Sequence, residues 1–156
     1  MMQYTSEGRT TVLWDEESIG IPTIADRPYV LVVDDDPAIT SVVMLTLELE
    51  DYAGLSISDS RQVVPFLYQI EADATKHMPA VILLDLMMPG FSGYEVADLL
   101  VQHPGFASIP IIIMTADYRV RSASAVPGAI DLLSKPFSVS ALLTKLECYL
   151  SIVPCG

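Results

Sequence analysis

Short apolar runs that alternate with stretches of helical spacing constrain the fold of this chain more than any other feature of its sequence. The runs are rich in β-branched residues and are bounded by Asp, Pro or Gly, which is typical of strands buried on both faces. Strands that alternate with helices form a parallel sheet with helices on both sides. The sequence therefore predicts a single α/β domain on a five-stranded parallel sheet, with strands over 29–33, 55–57, 80–84, 111–114 and 130–133.

The first helix has the clearest start, because Asp36 followed by Pro37 is typical of an N-cap and a first helical residue. Later apolar periods predict four more helices, and the third of them is short and built from small residues. We expect these helices over 60–72, 92–102, 118–126 and 138–152.

The N-terminal 27 residues differ from the rest because they show no sustained period. We interpret residues 1–27 as a mobile extension. The domain is then expected over 28–153, with a short tail at 154–156.

Composition excludes several functional classes. The formal net charge is -12 and no basic stripe offsets it, so direct binding to nucleic acid is not expected. No apolar run approaches the roughly 18–20 residues of a membrane helix, and the start of the chain has no signal-peptide pattern. We therefore expect a cytoplasmic protein without membrane insertion, in which Cys148 and Cys155 are reduced thiols.

Polar residues follow four of the predicted strands at one edge of the sheet. The first strand ends in Asp34 and Asp35, the third in Asp85, the fourth in Thr115 and the fifth in Lys135. Each residue alone has a simpler explanation, such as helix capping or solvation, but ligands of parallel sheets bind beyond the carboxyl ends of the strands. We expect these five side chains to form one site.

The residue types at this edge suit phosphoryl chemistry. Neighbouring carboxylates repel one another unless a cation lies among them, and hard oxygen ligands are those that Mg²⁺ prefers. An Asp carboxylate can attack phosphorus and form an acyl phosphate. Lysine and threonine side chains can hold the phosphoryl oxygens.

Four stretches, in order and at the usual separations, give the chain a specific resemblance. It resembles the receiver domain of bacterial two-component response regulators over about residues 28–153. The resemblance implies a flavodoxin-like sheet with strand order 2-1-3-4-5. The matching stretches are Val32-Val33-Asp34-Asp35-Asp36-Pro37, Leu83 to Gly90 with Gly93, Pro110 to Ala116, and Ser134-Lys135-Pro136-Phe137.

This resemblance implies a role for each site residue. Asp85 would be the phosphoacceptor, and Mg²⁺ would be held by Asp34, Asp35, Asp85 and the backbone carbonyl of Met87. Thr115 and Lys135 would contact the phosphoryl group.

The resemblance further implies a signalling protein in a phosphorelay rather than an enzyme with a substrate of its own. The phosphoryl donor would be a sensor histidine kinase or a histidine phosphotransfer protein, and the output would pass to a downstream protein target. The Lys135–Pro136 peptide bond would be cis.

Two positions depart from the family pattern. Many receivers carry Tyr or Phe three residues before the lysine, where this chain has Leu132, so a switch that uses a ring at that position is not available. Met87 lies two residues after the acceptor, and its thioether cannot orient an attacking water well. We expect slow hydrolysis of the phosphoryl group unless a phosphatase assists or Asp117 substitutes.

The end of the chain leaves the domain organisation open. No output domain follows before Gly156, which favours a stand-alone receiver or a phosphorelay shuttle, and a fragment of a longer protein is a third reading. Two other functions compete: a receiver-like binding module that is not phosphorylated, and a haloacid-dehalogenase-type phosphatase with Asp34 as nucleophile. The phosphatase reading leaves Asp85 unexplained and lacks the later acidic pair.

Overall fold

The computed structural model describes residues 2–4, 10–13 and 28–150. These residues form seven strands and four α-helices, with two short 3-10 turns at Ser60–Gln62 and Ala123–Ala125. The strands are β1 Met2–Tyr4, β2 Thr10–Leu13, β3 Tyr29–Val33, β4 Ala53–Ile57, β5 Val81–Asp85, β6 Ile111–Thr115 and β7 Ala129–Ser134. The helices are α1 Pro37–Leu49, α2 Val63–Ala72, α3 Gly93–Gln102 and α4 Val139–Leu150.

The central part of the sheet has the predicted topology. Its strands follow the order β4-β3-β5-β6-β7, and all four pairings between them are parallel. This is the order 2-1-3-4-5 when the five strands are numbered along the domain, so the predicted fold class is confirmed. The carboxyl ends of these five strands consequently lie at one edge of the sheet.

The N-terminal region adds two strands to one side of this sheet, which the sequence analysis did not predict. β2 pairs in parallel with β4, where Val12 lies opposite Leu55, and β1 pairs with β2 in the antiparallel sense. Residues 5–9 and 14–27 lie outside the described part of the chain. The interpretation of residues 1–27 as a mobile extension therefore stays a prediction.

Two apolar clusters, one on each face of the sheet, form the core. On one face, α1 and α4 pack through Val43, Leu47, Leu142 and Leu146 against every second strand residue, such as Val32. On the other face, α2 and α3 pack against the alternate strand residues. All five residues of β3, β4, β5 and β6 are buried, as expected for strands covered on both sides.

The helix starts explain why the loops at the carboxyl edge are well defined. Asp36 caps α1, since its Oδ1 accepts a hydrogen bond of 2.9 Å from the Ala38 N–H, and Pro37 is the first helical residue, as predicted. α3 begins with a capping box in which Ser92 and Glu95 exchange hydrogen bonds. Pro65 lies in the first turn of α2, where a missing N–H removes no helical hydrogen bond.

The predicted helix over 118–126 is wrong. Within that range the structure has only the 3-10 turn, and the segment from 116 to 128 crosses the sheet as an irregular loop. Val120 and Val126 point into the core from this segment. Their spacing of six residues does not match a helical face, and the small residues between them bury too little apolar surface to stabilise a helix.

The C-terminal region agrees with its prediction as far as it is described. α4 ends at Leu150, and residues 151–156 lie outside the described part of the chain.

The prediction of two reduced thiols is wrong for Cys148, which is disulfide-bonded. The other cysteine of the sequence, Cys155, lies outside the described residues.

No helix among the described residues has the length and apolar character needed to cross a bilayer.

Candidate functional site

The five predicted site residues lie at the carboxyl ends of four neighbouring strands. Asp34 and Asp35 follow β3, Asp85 ends β5, Thr115 ends β6, and Lys135 comes directly after β7. Because these strands are parallel and adjacent, their ends bring the residues to the same edge of the sheet.

Three carboxylates form the centre of the site. Asp34, Asp35 and Asp85 each offer an oxygen within 4.8 Å of the others. Asp34 is fully buried, only 4% of Asp85 is exposed, and Asp35 is open to solvent. We call these three carboxylates and the Lys135 ammonium the acidic cup.

Lys135 provides the positive charge of the acidic cup. Its Nζ lies 2.7 Å from Oδ2 of Asp34 and 3.5 Å from Oδ2 of Asp85. The Lys135–Pro136 peptide bond is cis, as expected. One ammonium therefore serves two buried carboxylates, while Asp35 adds a third negative charge.

Backbone amides hold the two buried carboxylates in place. The Asp36 N–H donates to Oδ1 of Asp34 at 2.9 Å, and the Met87 N–H donates to Oδ1 of Asp85 at 3.1 Å. Sequence reasoning missed both contacts because backbone donors leave no residue-type signal. The expected metal contact from the Met87 carbonyl stays a prediction.

A close contact between α3 and the loop after β5 also fixes the position of Asp85. The Gly93 N–H donates to the Leu86 carbonyl at 3.2 Å. A Cβ at Gly93 would collide with the backbone carbonyl of Asp85. Gly93 therefore allows the start of α3 to approach the acceptor strand more closely than any side chain would permit.

Thr115 is buried beside the acidic cup and is tied to the loop that follows it. Its Oγ1 accepts a hydrogen bond of 3.0 Å from the Asp117 N–H, and its carbonyl accepts one of 2.8 Å from the Lys135 N–H. The second bond links the ends of β6 and β7, so that Thr115 and Lys135 are held next to each other.

A surface pocket of about 390 Å³ opens next to Thr115 and Lys135. Leu132 and Val120 form its apolar walls, and Tyr118 and Arg121 also line it. Sequence analysis did not single out Tyr118 or Arg121. Tyr118 could have been found from the sequence, because it is an aromatic residue three positions after Thr115 and the chain has no aromatic ring at position 132.

The electrostatics of the acidic cup reflect its excess of negative charge. Burial raises the pKa of Asp85 to about 6, and the nearby Asp34 carboxylate adds to the increase, although the Met87 N–H and the Lys135 ammonium oppose it. Burial lowers the pKa of Lys135, but its hydrogen bond to Asp34 and the attraction of Asp85 outweigh burial, so the net direction is upward. Lys135 is therefore a permanent cation at neutral pH.

The donor set of the acidic cup fits a divalent cation such as Mg²⁺. Three carboxylates and one ammonium leave two uncompensated negative charges in a largely buried site, which is costly without a further cation. All the available ligands are hard oxygen atoms, and the exposed Asp35 gives an ion access to them. The residues present thus fit a magnesium ion.

Comparisons with known proteins agree with this geometry. The family described as the response regulator receiver domain matches residues 30–147. The chain is 34% identical, over 79% of its length, to the DNA-binding dual master transcriptional regulator RpaA of Synechocystis, of which it covers 49%. It thus spans about half the length of curated relatives that it matches, and the expectations of a stand-alone receiver and of no contact with nucleic acid stay predictions.

Solved structures show the same fold. The signal receiver domain of a histidine kinase from Syntrophus aciditrophicus is 29% identical, with a TM-score of 0.67 over 81% of this chain and 92% of that domain. The receiver domain of the sensor histidine kinase PA1611 from Pseudomonas aeruginosa holds a magnesium ion in its active-site cleft. It is 24% identical, with a TM-score of 0.65 over 80% of this chain and 98% of that domain, which supports the fold alone.

The family match covers most of the chain, the five-stranded sheet has the family's topology, and the four motifs of the sequence meet at one edge of that sheet. This chain belongs to the receiver domains of two-component response regulators, which are signalling proteins.

Proposed function

We propose that this receiver takes a phosphoryl group onto the Asp85 carboxylate from the phosphohistidine of a sensor histidine kinase or a histidine phosphotransfer protein, and that it signals through protein contacts. The observation that carries the proposal is the acidic cup: three carboxylate oxygens within 4.8 Å of one another, with the Lys135 ammonium beside two of them.

Asp85 is a better nucleophile than its neighbour Asp34. Both oxygens of Asp34 are engaged, one by the Asp36 N–H and the other by Lys135, and the residue has no exposed surface. Asp85 keeps a small exposed fraction of 4%, and although its Oδ1 accepts from the Met87 N–H, its Oδ2 lies 0.8 Å farther from Lys135 than Oδ2 of Asp34 does (3.5 against 2.7 Å). An Asp85 oxygen would form the new P–O bond as the P–N bond breaks, and the leaving imidazole takes up a proton.

The other residues of the site stabilise charge. Lys135 is placed to face an oxygen of the transferred group, where its charge compensates the phosphoryl dianion. Thr115 offers a hydroxyl from the neighbouring strand end. Asp34, Asp35, Asp85 and the Met87 carbonyl would hold Mg²⁺, and when bound this ion screens the negative charge between the carboxylate and the incoming phosphoryl oxygens.

An exposed apolar stripe on α1 supports a protein as the phosphoryl donor. One face of this helix carries three apolar side chains at helical spacing, and each is about half exposed or more: Val42, Leu45 and Leu49. α1 begins at the acidic cup, since Asp36 is its N-cap. A helical partner could bury this stripe while it presents a phosphohistidine to Asp85.

The finer parts of the proposal concern the whole protein. We propose a stand-alone receiver in the cytoplasm, whose charge of -12 disfavours direct contact with nucleic acid. The mass of the native protein, detected in cell extracts with an antibody to this domain, tests whether the receiver stands alone. A native mass much larger than 17.0 kDa would instead show that the receiver is part of a longer regulator.

Acetyl phosphate with Mg²⁺ tests the central claim. Intact mass spectrometry should show the gain of one phosphoryl group, and the gain should disappear in Asp85→Asn and when EDTA removes the cation. Absence of the adduct in wild-type protein would favour the binding module that is not phosphorylated. An adduct that maps to Asp34 would favour the phosphatase reading.

A further inference from the structure

Two features of the described part of the chain border the pocket beside Thr115. No α-helix covers the sheet between β6 and β7, and the side chain at position 132 is a leucine rather than a ring. The cavity of about 390 Å³ has apolar walls from Leu132, Val120 and Ala116, and Asp117, Arg121, Ser134 and Lys135 line its polar part. Pockets of this size are large enough to bury an aromatic ring.

Tyr118 is the side chain best placed to enter this pocket. It lines the pocket, yet 84% of the residue is exposed, the largest fraction among the exposed apolar and aromatic residues of the described chain. Within the described residues its ring makes no hydrogen bond and no contact with another ring. Packing of this exposed ring against the apolar walls of the pocket would lower the free energy, because it removes apolar surface from water.

Hydrogen bonds hold the loop so that the ring stays outside. The Asp117 N–H donates to Thr115 Oγ1 at 3.0 Å, and the Asp117 carboxylate accepts from the Arg119 N–H at 3.0 Å and from the Arg119 guanidinium at 2.9 and 2.8 Å. Tyr118 lies between these two residues. The conformation of its backbone is thus linked directly to the position of the Thr115 hydroxyl.

We propose that Tyr118 is the aromatic switch of this receiver: when Asp85 is phosphorylated, its ring leaves solvent and fills the pocket beside Thr115 and Leu132. This inference rests on the proposed function. A Thr115 hydroxyl that turns toward a phosphoryl oxygen no longer accepts from the Asp117 N–H, so the turn that keeps Tyr118 outside is released. The signal then reaches a partner as a change in the surface of the 116–128 segment.

Fluorine NMR of protein labelled with 3-fluorotyrosine tests the inference. Tyr118→Phe identifies the Tyr118 resonance among the seven tyrosines, and a soluble gadolinium chelate measures its exposure. With Mg²⁺ and beryllofluoride as the phosphoryl mimic, we expect the relaxation caused by gadolinium at Tyr118 to fall roughly three- to fivefold, because pockets bury about 70–90% of what they hold. Tyr68, half exposed on α2, serves as the control and should not change.

Three variants locate the movement. Thr115→Val removes the oxygen that accepts from the Asp117 N–H, so Tyr118 should be protected even without the mimic. Asp85→Asn cannot take up the mimic and should leave Tyr118 exposed when the mimic is added. Leu132→Phe fills the pocket from β7, so Tyr118 should again stay exposed. If the ring still becomes protected in Leu132→Phe, it enters another place and the inference is wrong.

Acetyl phosphate separates this inference from the proposed function. An adduct on Asp85 with unchanged exposure of Tyr118 overturns the aromatic switch alone. Absence of any adduct overturns the phosphoacceptor role and the switch together. Protection of Tyr118 only after a partner protein is added would also overturn the intramolecular switch.

Discussion

The acidic cup and the 116–128 segment lie at the same edge of the sheet, but different kinds of interaction hold them. The acidic cup is positioned by strand ends, backbone N–H donors and a buried ion pair between Lys135 and Asp34. The segment is positioned by two inserted valines, one short 3-10 turn and an ion pair between Asp117 and the exposed Arg119.

This difference indicates how each region responds to change. Charges in the acidic cup are buried, so removal of one partner leaves the others uncompensated and should destabilise the whole domain. The Arg119 guanidinium of the segment is open to solvent, and the packing of the segment is local, so the effects of changes there should be small and should concern the surface rather than the fold. The predictions below test that contrast, from the largest expected effect to the smallest.

The largest effect is expected from removal of the ammonium in the acidic cup. Lys135→Met leaves Asp34 and Asp85 without their cation and should lower the free energy of unfolding by about 3–5 kcal/mol in metal-free protein. The matched control is Lys145→Met on α4, whose 2.8 Å pair with Asp131 is partly exposed and should contribute about 1 kcal/mol or less. Urea unfolding with EDTA measures both, and equal losses in the two variants would remove the distinction between the regions.

The second prediction concerns the pH dependence of stability, and here the substitution should stabilise the protein rather than destabilise it. The folded protein keeps the Asp85 proton up to about pH 6, whereas an unperturbed aspartate has a pKa of 3.8. The folded state therefore binds more protons between these values, and stability falls as pH rises through that window. Asp85→Asn should be more stable than wild type above pH 7, by up to about 3 kcal/mol, because a shift of one unit corresponds to about 1.4 kcal/mol. The difference should vanish near pH 4.

Asp117 provides the comparison from the other region. Side-chain hydrogen bonds from Arg119 lower the pKa of Asp117 to about 2, so its contribution to stability is present at neutral pH and is lost as pH falls from about 4 toward 2. Urea unfolding of Asp117→Asn and Asp85→Asn over the same pH range should therefore give differences of opposite sign from wild type. Differences of the same sign would contradict the charge balance described for the acidic cup.

The acidic cup could be predicted from sequence because its residues are fixed by the ends of strands. Asp34, Asp85 and Thr115 each follow or end an apolar run, and parallel strands place such ends at one edge whatever the loops do. The backbone contacts from Asp36 and Met87 could not be predicted, since every residue except proline carries the same N–H donor. The strand-end rule therefore gives the members of the site but not the hydrogen bonds that orient them.

Two of the failures of sequence reasoning have a common cause. The 118–126 helix was predicted from local apolar periods, whereas the structure is decided by where Val120 and Val126 can pack. β2 was missed because its stability depends on pairing with β4, about 40 residues later in the chain, which leaves little local signal beyond the run Thr10–Leu13. Both outcomes depend on tertiary contacts that propensity and periodicity do not contain.

The third prediction measures how tightly the 116–128 segment is packed. Gly128 has a φ of 74°, and an added Cβ would lie 2.6 Å from Cγ2 of Val101 on α3. Gly128→Ala should therefore cost about 2–3 kcal/mol, from backbone strain and overpacking together. Gly90→Ala is the control, because Gly90 has a φ of 80° with no atom near its Cβ and should cost only about 1 kcal/mol.

A double variant shows whether the clash with Val101 is the cause of the difference. Val101→Ala should reduce the cost of Gly128→Ala toward that of Gly90→Ala in urea unfolding, since it removes the colliding methyl group. If the cost of Gly128→Ala is unchanged in the Val101→Ala background, the segment is looser than the structure indicates.

The smallest effect is expected where the two regions meet, in the lifetime of the phosphoryl group. Met87 cannot orient an attacking water, and Asp117, the other candidate, is held by the Arg119 guanidinium at 2.9 and 2.8 Å. Arg119→Met frees the Asp117 carboxylate and should shorten the half-life of phosphorylated Asp85 by roughly threefold, or about 0.6 kcal/mol in activation free energy. Loss of the phosphoryl mass over time measures this rate, and the double variant Arg119→Met/Asp117→Asn should restore the slow hydrolysis. A wild-type half-life of only seconds would show that water attacks the phosphoryl group without help from either side chain. The rate of hydrolysis would then be set by the acidic cup alone and not by the 116–128 segment.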